Sequence, residues 1–322
     1  MIEKMINAIQ LAESQSALVA AEPGVLTGFS GQKLVGCLQR LARLFAGDND
    51  TCYLEVGVYQ GLTLLSVAMA CREMPCYGVD NFAFFDPEGK NLEIVRQRSA
   101  RLGLDNAHVI NKDYEDALGD LHSAVGRRKV AVYFVDGPHD YRSQLMCLEL
   151  ALPHLHPEAV IVVDDSNYRH VRQANRDFLI THPEFKLIFE AYTPCHPANM
   201  SPSQQQQARS TWWNGVHILV RDPRNLLPAM YPPTERSRSL YENEHIVHAA
   251  DVAAFAPETL TLAQQIDDGN WFGVLKGIVR LRRGLGRSQG ARRSLFKQMN
   301  TYSDHLPSVN FNVLSPTHST KS

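Results

Sequence analysis

Five short apolar runs, separated by longer segments with helical periodicity, constrain the fold of this chain more than any other feature. The runs span residues 53–58, 76–79, 107–110, 130–135 and 160–163. They are almost continuously apolar, which is typical of strands covered on both faces, as in a parallel sheet. Parallel strands need crossover connections, and the intervening helical segments are long enough to supply them. The pattern therefore predicts a doubly wound α/β sheet.

The flanking segments complete a three-part organisation. Two further strand candidates at 185–192 and 216–220 predict a seven-stranded, mostly parallel sheet. We expect residues 1–50 to form an N-terminal helical cap, 51–222 the α/β domain and 223–322 a C-terminal extension. Residues 193–211 are rich in Pro and Gln and predict a long loop, which in a compact domain is usually functional or mobile.

Composition excludes several classes of protein. The first residues show no signal-peptide pattern, and no stretch approaches the ~20 apolar residues that a membrane span needs. The six cysteines form no C-x-x-C pair and sit mostly in apolar runs, as free thiols do. These features predict a cytoplasmic protein without a membrane span.

The net charge of −2 conceals an uneven distribution. Residues 276–297 hold eight Lys and Arg and no acid, so the rest of the chain carries a net charge of −10. A basic amphipathic stretch can meet a membrane surface, nucleic acid or an anionic substrate. It can also dock on acidic residues of its own chain or of a partner subunit, which is the interpretation we favour. Nucleic acid binding is not expected.

A glycine-containing loop follows the first predicted strand. It begins at Glu55, carries Gly57, Tyr59 and Gly61, and leads into an apolar helix. Glycines at such a turn let the backbone approach a ligand closely. The spacing is G-x-x-x-G, unlike the dinucleotide fingerprint, and the Gly-Lys-Ser/Thr of a triphosphate-binding loop is absent. A plain tight turn remains the alternative interpretation.

An acid lies at or near the end of each of the five predicted parallel strands. In open α/β sheets, ligands bind outside the carboxyl ends of the strands, so these acids would gather at one edge. Five together favour a ligand site over solvated loop acids or helix caps. The acids are Glu55, Asp80, Asp113, Asp136 and the Asp164–Asp165 pair.

The segments 53–61, 77–80, 135–141 and 160–165 together resemble class I S-adenosylmethionine-dependent methyltransferases. Within that class, residues 28–221 are most similar to the metal-dependent O-methyltransferases that act on macrolide and aminocoumarin sugars. The resemblance implies a Rossmann-like methyltransferase fold, with the 51–222 segment as the S-adenosylmethionine-binding catalytic domain. The D-G-x-H-x-Y segment paired with a downstream Asp-Asp carries most of the specificity, and the glycine loop carries less.

The resemblance also implies roles for individual positions. Asp80 would bind the ribose hydroxyls, and Asp113, with Tyr114 beside it, would contact the adenine ring. The predicted cofactor contacts are Glu55, Gly57, Tyr59 and Gly61, which would wrap the methionine portion, together with Thr63, Asp80, Asp113, Tyr114 and Asp136.

Asp136, Asp164 and Asp165 match the positions that hold magnesium in metal-dependent relatives. Three carboxylates from two strand ends would form a hard, oxygen-only site, which suits Mg²⁺ better than zinc. Without a cation they would repel one another and raise one another's pKa. In the alternative interpretation Asp164 caps the next helix and Asp165 accepts hydrogen bonds from loop amides.

The predicted activity is Mg²⁺-dependent O-methylation of a hydroxyl on a small acceptor, a sugar or a phenol, in natural product biosynthesis. The proton acceptor is either His139 or Asp136. An N-methyltransferase acting on a small molecule or peptide stays open, as does a non-catalytic binding module that uses the basic C-terminal segment. The acceptor's identity and the formation of a homo-oligomer also stay open. Candidates for acceptor contact are Phe82–Phe85, Tyr168–His170, Trp212 and Trp213.

Overall fold

A single eight-stranded sheet organises the computed structural model, which describes residues 1–234, 256–284 and 306–313. The strand order across the sheet is β3-β2-β1-β4-β5-β7-β6-β8. The strands are β1 (Thr51–Val56), β2 (Cys76–Val79), β3 (Ala107–Ile110), β4 (Lys129–Val135), β5 (Leu155–Asp164), β6 (Phe185–Ala191), β7 (Val216–Arg221) and β8 (Val309–Phe311).

The first five strands are parallel, whereas β7 pairs antiparallel with both β5 and β6. This arrangement confirms the predicted doubly wound, mostly parallel α/β sheet. The sheet has one strand more than predicted, because β8 pairs antiparallel with β6 from inside the predicted C-terminal extension. A strand of three residues is too short to leave a periodic signal in the sequence.

Helices cover both faces of the sheet. Successive residues of β4 point to opposite sides, so that Phe134 joins the core under α1 to α4 and Tyr133 joins the core under α5 to α8. The helices are α1 (Ile2–Ser14), α2 (Gln32–Arg43), α3 (Leu62–Ala70), α4 (Asn91–Arg101), α5 (Tyr114–Gly119), α6 (Leu121–Val125), α7 (Tyr141–Ala151), α8 (Arg169–Thr181), α9 (Pro202–Arg209) and α10 (Ala256–Asp267).

The N-terminal helices share a core with the sheet. Ile9 of α1 and Leu38 of α2 are fully buried in the same hydrophobic cluster as Leu64 of α3. The buried Arg40 donates hydrogen bonds to the carbonyl oxygens of Ser16 and Gly36 and so fixes the segment between the two helices. That residues 1–50 act as a cap over the ligand site stays a prediction.

The segment predicted as one long loop contains a helix. Ser201 caps α9 in a capping box with Gln204, and Pro202 occupies the first turn, where its missing N–H costs nothing. The prediction of a continuous loop over 193–211 was therefore wrong for these residues. Both tryptophans after α9, Trp212 and Trp213, are buried.

The C-terminal extension is described only in part. Residues 271–284 are helical and follow α10 after a short turn. The rest of the predicted basic segment, 285–297, and the polar tail, 315–322, lie outside the described residues. Across the three described ranges, no helix is both long enough and apolar enough to cross a membrane. All six cysteines are free thiols, as predicted.

Candidate active site

The glycine loop between β1 and α3 brings two strand ends together. Gly57 has φ +94, and a Cβ there would collide with the carbonyl oxygen of Asp136 at the end of β4. Gly61 also adopts a left-handed conformation and begins α3. Both positions therefore need glycine for the fold itself. Whether the loop also wraps a cofactor stays a prediction.

Asp80, at the end of β2, organises two loops through its carboxylate. Its Oδ2 accepts hydrogen bonds from the backbone N–H groups of Val58 and Tyr59, at 2.9 and 2.8 Å, and its Oδ1 accepts one from Phe82 at 2.7 Å. Each carboxylate oxygen can accept more than one hydrogen bond. The predicted ribose contact is therefore compatible with these bonds.

Glu55 is fully buried at the end of β1. Burial raises its pKa to about 8, although hydrogen bonds from Tyr53 and Thr63 favour its charged form. The Tyr53 hydroxyl donates to Oε2 at 2.7 Å, and the Thr63 hydroxyl donates to Oε1 at 3.1 Å. Thr63, predicted as a cofactor contact, thus holds another predicted contact in place.

Asp113 and Tyr114 occupy the start of α5. The Asp113 side chain caps the helix by accepting a hydrogen bond from the Glu115 N–H at 2.9 Å. Tyr114 is buried in the hydrophobic core beneath α5 to α8, and its hydroxyl donates to Glu115 Oε1 at 3.0 Å. Both therefore have partners within the chain, and their contact with an adenine ring stays a prediction.

Asp136, His139 and Asp165 converge where β4 and β5 end. They offer ligand atoms that all lie within 4.8 Å of one another, and across the described ranges this is the one such group of three or more His, Cys, Asp or Glu. His139 Nε2 lies 2.8 Å from Asp165 Oδ2. Side chains from two neighbouring strand ends thus form a compact polar cluster, as the sequence predicted for the two acids.

The Asp165 side chain is held from both sides. Its backbone is left-handed, with φ +54, and Asn214, just before β7, donates a hydrogen bond to Oδ1. Asp164 is buried beside it, and its Oδ1 accepts a hydrogen bond from the Asp165 N–H at 2.8 Å. Asp164 is not among the three converging residues, and its role as a metal ligand stays a prediction.

The two converging carboxylates differ in their electrostatics. Burial, followed by the charges of Asp165, Glu55 and Asp80, raises the pKa of Asp136 well above its ordinary value. Burial would also raise the pKa of Asp165, but His139, followed by Asn214 and His196, outweighs it and the pKa is lowered. An added cation near Asp136 would relieve the repulsion among these acids.

Two residues at this cluster, His196 and Asn214, were not predicted from the sequence. His196 lies in the segment after β6, and its ring centroid is 5.6 Å from that of Tyr168. Tyr168, a predicted acceptor contact, stacks on His139 at 5.2 Å with an interplanar angle of 14°. The one sequence signal for His196 was its place in the Pro-rich segment that we expected to be functional.

Aromatic side chains line the outer rim of the glycine loop. Phe29 lies 5.1 Å from Tyr59 and 6.4 Å from Phe85, measured between ring centroids. Phe29 and Phe85 are both exposed. The predicted acceptor contact 82–85 thus joins an exposed aromatic group next to the loop, whereas the predicted contacts Trp212 and Trp213 are buried.

The parallel sheet, the glycine loop and the acids at its strand ends agree with the methyltransferase domain that the sequence predicted. Residues 54–166, from β1 to the turn after β5, match the family model described as a methyltransferase domain. The family match covers the strands that carry Glu55, Asp80, Asp136 and Asp165.

Several solved structures are similar to this chain. An O-methyltransferase from Bacillus cereus, in complex with S-adenosylhomocysteine, is 14% identical over 68% of this chain and 91% of that one, with a TM-score of 0.42. The O-methyltransferase TomG from Streptomyces achromogenes, involved in tomaymycin synthesis, is 16% identical over 68% and 90%, with a TM-score of 0.43. A putative caffeoyl-CoA O-methyltransferase from Staphylococcus aureus is 14% identical over 67% and 91%, with a TM-score of 0.40. No curated protein matches this chain.

Proposed function

We propose that this protein transfers a methyl group from S-adenosylmethionine to a hydroxyl of a small natural product, a sugar or a phenol, with Mg²⁺ bound at the strand ends. The observation that carries the proposal is the convergence of Asp136, His139 and Asp165 beside the glycine loop. The glycine loop, Glu55 and Asp80 would hold the cofactor on one side of this cluster. The acceptor would then lie on the other side, against His139.

His139 is the proposed proton acceptor. An imidazole can take a proton from a hydroxyl near neutral pH, and Asp165 orients this ring through Nε2 while Tyr168 packs against its face. The proton from the acceptor would move to Nδ1. Methyl transfer from a sulfonium is an in-line displacement, so most of the remaining acceleration would come from alignment of the acceptor oxygen with the methyl group.

The donor set fits a divalent cation. Asp136 and Asp165 offer hard oxygen atoms. Burial and then the neighbouring acids raise the pKa of Asp136, and a bound cation would favour its charged form. Asp136, Asp164 and Asp165 would hold the ion. Bound Mg²⁺ would lower the pKa of the acceptor hydroxyl and fix its position. His139 adds a nitrogen to the cluster, which leaves two roles for it, ligand or base.

Calorimetry with S-adenosylmethionine tests the first part of the proposal. We expect saturable binding to the purified chain, and absence of binding at millimolar cofactor would overturn the proposal. Transfer of a labelled methyl group to a panel of phenols and sugars tests the second part. Activity should disappear in a chelator and return with Mg²⁺. Full activity in the chelator would contradict the proposed requirement for the metal.

The His139→Gln variant separates the two roles of the imidazole, with His122→Gln on the exposed surface of α6 as the matched control. If His139 is the base, the rate should fall about 100-fold or more while the Mg²⁺ concentration needed for half-maximal activity stays the same. If His139 is a ligand, that concentration should rise. The control variant should change neither value.

A further inference from the structure

The second described range of the chain forms a helical hairpin, residues 256–284. The helix at 271–284 runs back along α10, where a Cβ at Gly277 would lie 2.9 Å from Leu262 Cδ1 and a Cβ at Gly273 would lie 2.8 Å from Gln265 Cδ. The two glycines thus let the helices approach closely. Val274, on the same side, is buried. One face of the 271–284 helix is therefore used for packing within the hairpin.

A second face of the same helix is apolar and exposed. At ~100° per residue, five apolar side chains cover an arc of roughly 120° that points away from α10. Trp271 is 68% exposed, Phe272 80% and Leu275 65%. The full set of this apolar stripe is Trp271, Phe272, Leu275, Ile278 and Val279. Five exposed apolar side chains in one stripe indicate an interaction surface.

Cations lie along one edge of the apolar stripe. Arg283 and Lys276 are next to it, Arg280 lies farther round the same side, Arg282 lies within it, and all four are exposed. Residues 271–284 contain no acid. Within the described ranges, no ion pair joins these four cations to an acid. The docking on acidic residues that the sequence predicted for 276–297 stays a prediction, because 285–297 lie outside the described residues. The stripe and its cations together are the composition of a helix that lies in a membrane interface.

We propose that the hairpin 256–284 binds the surface of an anionic lipid bilayer, with the apolar stripe in the headgroup region and the cations among the lipid phosphates. A nucleic acid would satisfy the cations but leave Trp271, Phe272 and Leu275 in water. A second copy of the chain would cover the apolar stripe but bring like charges together. The cations at 276, 280, 282 and 283 would be costly in the apolar core of a bilayer, so the proposal places the described part of this helix along the surface.

Vesicle sedimentation with the full chain tests this proposal. We expect binding to vesicles of phosphatidylcholine mixed with phosphatidylglycerol, and weak binding to phosphatidylcholine alone. The triple variant Lys276→Gln/Arg280→Gln/Arg283→Gln should lower the partition coefficient about 100-fold, at about five-fold per charge. Its matched control is Lys4→Gln/Arg101→Gln/Arg224→Gln, which removes three exposed cations of the body and should bind as the unmodified chain does.

A double variant and the fluorescence of Trp271 test the apolar stripe separately from the cations. Phe272→Ser/Leu275→Ser should lower partition by about ten-fold or more, whereas Ile180→Ser, an exposed apolar residue of α8, should not. Trp271 is exposed and the other two tryptophans are buried, so its fluorescence should shift to shorter wavelength on vesicles, and Trp271→Phe should remove that shift while binding is kept.

Three results would overturn the proposal. One is equal binding to both kinds of vesicle by all the variants. Another is that Phe272→Ser/Leu275→Ser binds vesicles as the unmodified chain does and the chain binds RNA tightly. That result would make the segment a nucleic acid site. A third is a concentration-dependent dimer without lipid that the same variant dissolves. S-adenosylmethionine affinity in solution should be the same for every hairpin variant, so the test stands apart from the proposed activity.

Discussion

The two halves of the strand-end edge use their carboxylates differently. On the side of β1, β2 and β3, the acids are bonded to donors of their own chain, as Asp80 is to three backbone N–H groups. On the side of β4 and β5, Asp165 also contacts donors of its own chain, Asn214 and His139, but it converges with Asp136, whose pKa is raised. The comparison teaches that acids at equivalent places in a sheet can either hold a loop in shape or concentrate charge for a ligand.

The largest expected effect is on catalysis, in the half where the charge is concentrated. Asp165→Asn should lower kcat/KM about 1,000-fold, because it removes both a proposed metal ligand and the group that orients His139. S-adenosylmethionine affinity should change little, since Asp165 is not among the predicted cofactor contacts and most of those contacts lie in the other half. Steady-state kinetics and calorimetry check both statements, with the exposed Asp120→Asn as control. A large loss of cofactor affinity would contradict the division of the edge into a half for the cofactor and a half for catalysis.

Glu55 should make stability depend on pH. Its folded-state pKa of about 8 lies above its ordinary value of 4.5, so the folded protein holds the proton more tightly than the unfolded chain. The contribution of Glu55 to stability should be greatest below pH 4.5 and be lost as the pH rises through 8. At about 1.4 kcal/mol per pH unit, with partial relaxation, we expect a loss of about 3 kcal/mol. Urea unfolding of the cofactor-free chain measures it.

The control for the pH dependence of stability is Glu55→Gln, which keeps the shape of the side chain and cannot ionise. Its free energy of unfolding should change less with pH than that of the unmodified chain over the same window. If both proteins lose the same stability, Glu55 is ionised in the folded protein and the first half of the edge carries more charge than we infer.

Asp80→Asn should lower the free energy of unfolding by about 2 kcal/mol. The two oxygens of the carboxylate accept hydrogen bonds from three backbone N–H groups, whereas an amide has only one oxygen to accept them. Denaturant unfolding of the cofactor-free chain gives the value. A neutral result would mean that the glycine loop keeps its shape without Asp80, and that the acid serves the ligand alone.

Asp136→Asn should have the opposite sign and the smallest size. In the metal-free chain near neutral pH, burial and then the neighbouring acids penalise the charged form of Asp136, and an amide avoids that cost because it cannot ionise, so we expect stability to rise by about 1 kcal/mol. Unfolding in the presence of a chelator measures this, and the same variant should gain less from added Mg²⁺ than the unmodified chain. A fall in stability would show that Asp136 has a structural role like that of Asp80.

The parallel strands were predictable because strands covered on both faces leave continuous apolar runs in the sequence. The convergence of Asp136 and Asp165 followed from the same pattern, since parallel strands end at one edge. The role of Asp80 did not follow. An acid after a strand looks the same in sequence whether it accepts hydrogen bonds from loop amides or from a ligand, and only the loop conformation decides.

Residues from distant segments were not predictable. Asn214 reaches Asp165 because β7 runs antiparallel beside β5, a pairing that no local pattern encodes. His196 reaches Tyr168 from the segment after β6. The helix α9 is encoded locally, by Ser201, Pro202 and Gln204. The prediction was wrong because it rested on the Pro- and Gln-rich composition of the segment and not on this capping pattern.

The strand β8 lies near the end of the sequence, so it is the last strand of the sheet to be synthesised. Asn310 of β8 donates a hydrogen bond to Glu190 of β6 at 2.9 Å, and the two residues are 120 positions apart. As the chain leaves the ribosome, β6 can pair with β7 at once, but its other edge stays open until residue 311 has emerged. An open edge can pair with a strand of another chain. Aggregation during translation should therefore fall once β8 is in place.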